Sequence, residues 1–157
     1  MRTISKRTQY ALKAMLALGH RYQEGPVLMS ALARDEHIPL KFLEAILLDL
    51  KGKGLLESKV GRGGGYRLSR APSTITIGSI IRVLEGPLAP LPCASETAYK
   101  PCDTCTDVEN CGTRIVMRQV RDAIAGVLDN TTLADLVRLT AARKTLPPGL
   151  QALVYEI

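Results

Sequence analysis

At 157 residues, 46% of them hydrophobic, the chain can form one domain or a small domain with an appendage; with aromatics at 4% and no Trp, its core must be Leu, Ile, Val and Ala. No apolar run approaches the roughly 18 residues of a membrane span, and the basic start M-R-T-I-S-K-R-T-Q-Y leads into no signal-peptide pattern, so no membrane partner and a cytoplasmic location are expected. The formal net charge of +6 is uneven: residues 1–70 hold 13 Lys/Arg against 6 Asp/Glu and residues 71–157 hold 8 against 9, which points to an acidic partner, nucleic acid foremost, for the N-terminal half alone.

Residues 5–20 are expected to form the first helix. Ser5 can cap its start, Ala11, Leu12, Met15, Leu16 and Leu18 recur at helical spacing, and Gly19 and then Gly25-Pro26 end it. A short second helix, A-L-A-R-D-E-H, opens at Met29 or Ser30. A third begins at Pro39, a residue suited to a first helical turn, and runs to Gly52. Its expected buried stripe is Phe42, Leu43, Ile46, Leu47 and Leu50, with Lys41, Glu44, Ala45 and Leu48 on the other side. Only His37 and Ile38 separate the two helices. That is a helix-turn-helix signal, though an ordinary helical hairpin has the same outline.

The next segments narrow the choice. L-L-E-S-K-V, G-R-G-G-G and Y-R-L-S read as strand, glycine loop and strand, a hairpin. A helix-turn-helix joined directly to a basic hairpin is the order of a winged helix. The loop glycines, Gly63 among them, let backbone approach a phosphate, and Lys59, Arg62 and Arg67 supply charge. The loop leads to a strand and lacks G-K-[ST], which excludes a nucleotide P-loop.

Ala71-Pro72-Ser73 reads as a linker. A fourth helix, opening at Thr76 or Ile77, stops at Gly86-Pro87. A long helix is expected from Thr113 to Leu128. Its apolar stripe is Val116, Val120, Ile124, Val127 and Leu128, with Arg114, Arg118, Arg121 and Asp122 looking outward. The stripe either pairs with a second copy or packs on its own domain. Asp129-Asn130-Thr131 reads as a turn with a cap, Leu133–Leu139 as a short last helix, and Pro147-Pro148-Gly149 as the start of a tail.

Between the fourth and the long helix lies P-C-A-S-E-T-A-Y-K-P-C-D-T-C-T-D-V-E-N-C. It holds all four cysteines of the chain, as C-x8-C-x2-C-x5-C. The segment is polar and cannot bury a core of its own, so something else must order it. Four thiolates, Cys93, Cys102, Cys105 and Cys111, on one metal or iron–sulfur centre would do so. A disulfide pair or plain surface thiols are the other readings, and a reducing compartment disfavours the former. Zinc suits an all-thiolate set equally well. A thiol–disulfide enzyme using C-x-x-C is disfavoured, because no βαβ pattern precedes Cys102 and Cys105.

Y-A-L-K-A-M-L, I-P-L-K-F-L-E, G-x-G-G-G-Y, the cysteine cluster and L-D-N-T-T-L-A-D-L together resemble the Rrf-two family of bacterial winged-helix regulators, of the IscR and NsrR type, over roughly residues 1–140. The resemblance implies a mainly α fold with a small hairpin wing: a winged helix-turn-helix over 1–86, a cluster-binding loop over 87–112, and a dimerisation helix and tail over 113–157. It implies no enzyme. The function it implies is a homodimeric regulator, a repressor in outline, on an inverted-repeat double-stranded DNA operator, controlled by a two-iron or four-iron iron–sulfur cluster that senses redox, iron or nitric oxide status. Leu40, Lys41 and Glu44 fall where family members contact DNA, and the long helix, through Val116, Val120, Ile124 and Val127, pairs the subunits. Two features depart from the family. Arg114 stands where the iron–sulfur regulator has a ligating His, and Arg7-Thr8-Gln9 offers no carboxylate where the nitric-oxide sensor has one. A fourth cysteine, Cys102, is present instead, and all-cysteine ligation is expected. The family's wing Arg is Val60 here, and Arg62 inside the loop is its expected replacement.

Overall fold

The computed structural model describes residues 4–144. The chain folds into α1 (Lys6–His20), α2 (Met29–Asp35), α3 (Leu40–Gly52), β1 (Leu56–Lys59), β2 (Gly65–Leu68), α4 (Ile77–Glu85), α5 (Gly112–Asn130) and α6 (Leu133–Lys144), with 3-10 turns at Pro72–Thr74 and Pro92–Ala94. This is the expected mainly helical winged fold with a two-stranded antiparallel wing. The tail at Pro147-Pro148-Gly149 lies outside the described residues.

Ser5 caps α1 as its sequence position suggests, its hydroxyl accepting from the Thr8 amide at 3.2 Å. The turn between α2 and α3 has a definite cause. His37 sits at φ 53°, and the His37 and Ile38 amides donate to the Arg34 and Ala33 carbonyls. That double bond pattern closes a helix with a left-handed residue, and it drives Ile38 into the core beside Ala33. Gly54 ends α3 in the same way, at φ 70°.

The core joins α1, α2, α3, α4 and the wing through Met15, Leu18, Leu32, Leu43, Ile46, Leu47, Leu50, Leu56, Leu68, Ile75 and Ile80. In the wing, Leu56 pairs with Leu68 and Lys59 with Gly65, and Val27 adds a bridge to Tyr66 on the far side. Leu133 is buried with the α1–α4 core, and Gly19 makes room for α6, since a Cβ there would meet Leu133 and Val137. The segment after α5 therefore returns to the first half of the chain.

Several element readings need correction. Phe42 is 57% exposed and not part of the buried stripe of α3; it stands on the flank of that helix, edge-on to Tyr10 at 6.4 Å. Arg121 does not look outward but is buried. α5 runs through Asp129 and Asn130, and the cap that opens α6 is Thr132, whose amide donates to Asp135 at 2.9 Å and whose hydroxyl accepts from the Asp135 amide. α6 extends past Leu139 to Lys144.

Candidate functional site

Two surfaces carry the chemistry. The first combines α3 and the wing. Leu40, Lys41, Glu44, Ala45 and Leu48 are exposed along one side of α3, while Leu43, Ile46, Leu47 and Leu50 are buried opposite. A helix packed so firmly on one side presents the other as a rigid rod, of the kind a major groove admits. Lys51 donates to the Ser58 hydroxyl at 2.6 Å, tying the end of α3 to the first wing strand. Lys59, Arg62 and Gly63 are exposed at the wing tip, where Gly61 at φ 91° and Gly63 at φ 72° form a loop that L side chains rarely adopt. Arg67, also read as a source of positive charge, is held by Glu57 across the hairpin at 2.9 Å, so its charge is largely met within the wing.

The second surface is the cysteine loop. Cys93 lies in the 3-10 turn Pro92–Ala94, Cys102 and Cys105 on one turn closed by the Cys105 amide and the Cys102 carbonyl at 3.2 Å, and Cys111 at the cap position of α5. All four line one pocket of about 280 Å3, together with Leu91, Thr104, Val108, Thr113 and Arg114. The Cys105 sulfur donates to the Asp107 carbonyl at 3.4 Å, and its proximity to Cys111 pushes the Cys105 thiol up and helps hold the Cys111 thiol down. The larger cause at Cys111 is the Arg114 amide at the start of α5. Its sulfur is outside ordinary capping geometry, yet the amide dipoles still reach it. A bond with Thr104 lowers Cys102. Among the described residues no three His, Cys, Asp or Glu side chains are drawn together at metal-holding distances. The donor set itself, soft sulfurs around one pocket beside a helix N-terminus and an arginine, is what an anionic thiolate-ligated centre requires.

The loop is less dependent on a bound group than its composition suggests. Asp107 accepts from the Asn110 side chain and from the Asn110 and Glu109 amides, which together hold its carboxyl below the usual range. Two residues read as outward-facing belong here instead. Arg114 Nε donates to the Cys93 carbonyl at 3.0 Å, and Arg121 Nη1 donates to the Ala94 carbonyl at 2.7 Å. Their seven-residue spacing, which places two side chains on one helix face, was visible in the sequence; that a loop folds back onto that face was not.

The long helix presents the opposite case. Val116, Val120, Ile124 and Val127 are all exposed in the single chain, and Arg121 is the sole buried residue of α5. Leu128 turns away from them towards the core of its own chain. No helix among the described residues is long and apolar enough to cross a membrane.

Comparison with known proteins gives this arrangement its context. The model of the Rrf2 family, described as an iron-dependent transcriptional regulator, matches residues 4–139. CymR of Bacillus subtilis, an HTH-type transcriptional regulator, is 35% identical over 87% of this chain and 91% of its own; IscR of Serratia proteamaculans is 34% identical over 87% and 79%. The solved structure of CymR, the global cysteine regulator of B. subtilis, superposes with a TM-score of 0.74 at 34% identity, covering 88% of this chain and 98% of that one. IscR of T. potens superposes with a TM-score of 0.73 at 30% identity, covering 95% and 96%. Six helices, a two-stranded wing and an exposed face on the third helix thus coincide with the family match over nearly the whole described chain: this protein belongs to the Rrf2 family of winged-helix, DNA-binding transcriptional regulators.

Proposed function

We propose that this regulator binds an inverted-repeat operator as a homodimer, as a repressor, and that an iron–sulfur cluster ligated by Cys93, Cys102, Cys105 and Cys111 sets its DNA affinity. The observation that carries the reading is that every cysteine of the chain lines one pocket at the start of α5. Residues 1–86 act as the DNA-binding unit, with Leu40, Lys41 and Glu44 in the major groove and Lys59, Arg62 and Gly63 at the minor groove. Residues 87–112 form the sensing loop. Residues from 113 onwards provide the dimer helix, paired through Val116, Val120, Ile124 and Val127.

Bound in the loop, the cluster supplies a centre whose charge and integrity respond to oxidants, iron supply or nitric oxide. The protein's part is positional. Cys111 opens α5, and α5 is joined to α4 by the Arg82–Asp129 pair at 2.5 Å. Any change in the loop therefore acts on the helix that spaces the two DNA-binding units. A second reading is favoured by the pocket that Cys105 and Cys111 share and by the likeness to a global cysteine regulator: thiol-based sensing without a cluster. Structural zinc is the third occupant that the donor set permits.

Anaerobic purification with iron and sulfide analysis separates these. Visible absorbance with iron and sulfide in equal amounts supports the cluster. Colourless protein carrying zinc, or no metal, overturns it. Each Cys→Ser variant should lose the absorbance and shift operator affinity; full cluster occupancy in Cys102→Ser would remove that residue from the ligand set.

A further inference from the structure

We propose that Arg114 and Arg121 are positioning residues that hold the Cys93 side of the loop in place before any metal binds, leaving only the Cys102–Cys105 side to be ordered by it. The proposal rests on the reading of the four cysteines as ligands. It modifies the expectation that such a polar loop has nothing else to order it.

The two arginines stand seven residues apart on one face of α5 and take two successive carbonyls, those of Cys93 and Ala94. Arg121 is the stronger hold. Its side chain is only 9% exposed, and besides Ala94 it meets Asp122 at 2.5 Å and Glu96 at 3.1 Å. Taking a guanidinium out of water is unfavourable unless its donors are met, so these partners are obligatory once α5 and the loop pack together. Ala94 itself is 1% exposed, and the Ala94 and Ser95 amides close the turn onto Leu91 and Pro92. Cys93, itself half-buried, is therefore carried on a hydrogen-bonded turn bolted to the helix through its buried neighbour Ala94.

Arg114 joins the two ends of the loop. Besides the Cys93 carbonyl it reaches the Val108 carbonyl at 3.4 Å, and its guanidinium lies 5.8 Å from the centre of the Tyr99 ring. A guanidinium has donors only and no lone pair to offer a metal. At this position it serves as a staple beside the pocket rather than a ligand in it. Cys102 is exposed, and its sulfur shares a hydrogen bond with Thr104, two residues on. The loop thus has a side fixed to α5 and, around Cys102–Cys105, a side with only short local contacts of its own, which a bound metal would have to order.

Hydrogen exchange on the metal-free dimer, together with titration by cobalt(II) alone read through its thiolate charge-transfer absorbance, tests this. Without metal, the amides of 94–95 should exchange slowly and those of 102–104 fast. Arg121→Met, which keeps the stem and removes the donors, should abolish the slow exchange at 94–95 and weaken cobalt binding by about 10- to 100-fold, the range for lost outer-sphere support. Arg114→Met should weaken cobalt binding while sparing exchange at 94–95, and Arg121→Lys should restore only part of either effect. Equally fast exchange on both sides of the wild-type loop overturns the proposal, as does unaltered exchange at 94–95 in Arg121→Met. If wild-type protein shows no thiolate–cobalt absorbance, the ligand reading of the cysteines fails, while the exchange data still decide whether the arginines hold the turn.

Discussion

At the scale of single residues, backbone geometry separates glycines that look alike in sequence. Gly61 and Gly65 bracket the wing loop, and G-R-G-G-G gives no reason to rank them. Both have positive φ, but a Cβ on Gly61 would meet open space, whereas one on Gly65, at φ 146°, would run into the Val27 carbonyl. Gly65 is where the third bridging segment crosses the hairpin, and backbone there cannot rotate aside. Gly61→Ala should therefore lower stability by about 1 kcal/mol, the usual left-handed penalty. Gly65→Ala should lower it by about 2–3 kcal/mol and loosen the wing. Urea denaturation of the two variants checks this, and equal midpoints would refute the distinction. Phe42 shows the same limit of a sequence reading. Beside Leu43 and Ile46 it fits a buried stripe by periodicity, yet it is 57% exposed and meets the Tyr10 ring on the helix flank rather than entering the core.

At the scale of elements, helix existence was legible and helix orientation was only half so. Ser5, Pro39, Gly52 and Gly86 mark ends that the structure places close to where those residues suggest, because caps and breakers act locally. α5 was different. Its apolar stripe was visible as a period, but the opposite face read as solvent because arginines occupy it, and the loop that covers Arg114 and Arg121 is distant in chain order. Period alone cannot report what folds onto a face. The stripe itself leads to a prediction. Ile124 is 38% exposed in one chain and packs into no core of its own, so Ile124→Asp should leave the helical content intact. In a dimer seam the same carboxylate would be buried without a partner, which is strongly unfavourable. Sedimentation should show the variant as a folded monomer where the wild type is a dimer. A variant that stays dimeric would place the seam elsewhere.

At the scale of the whole molecule, charge is arranged by role. Residues 1–70 carry the excess of 13 Lys/Arg over 6 Asp/Glu, but Arg7, Arg21, Arg34 and Arg67 are held by Asp49, Asp35 and Glu57 within that half. Lys41, Lys59 and Arg62 are exposed on α3 and the wing tip. If each neutralises one phosphate in each subunit of a dimer, operator affinity should fall with salt at a log–log slope of about −5, since each contact contributes about −0.9. Lys59→Ala, which removes one contact per subunit, should reduce the steepness by about 2 and weaken operator and scrambled DNA alike, because phosphates carry no sequence. Glu44 should behave in the opposite way. Its carboxylate stands exposed on the side of α3 proposed to enter the groove, where it could accept from a cytosine amino group, so Glu44→Ala should spare the salt slope and narrow the gap between operator and scrambled DNA. Anisotropy titrations of both variants on both DNAs, from about 50 to 200 mM salt, measure the two effects together. A Lys59→Ala variant that lost discrimination, or a Glu44→Ala variant that kept it, would exchange the roles assigned to the wing and to α3.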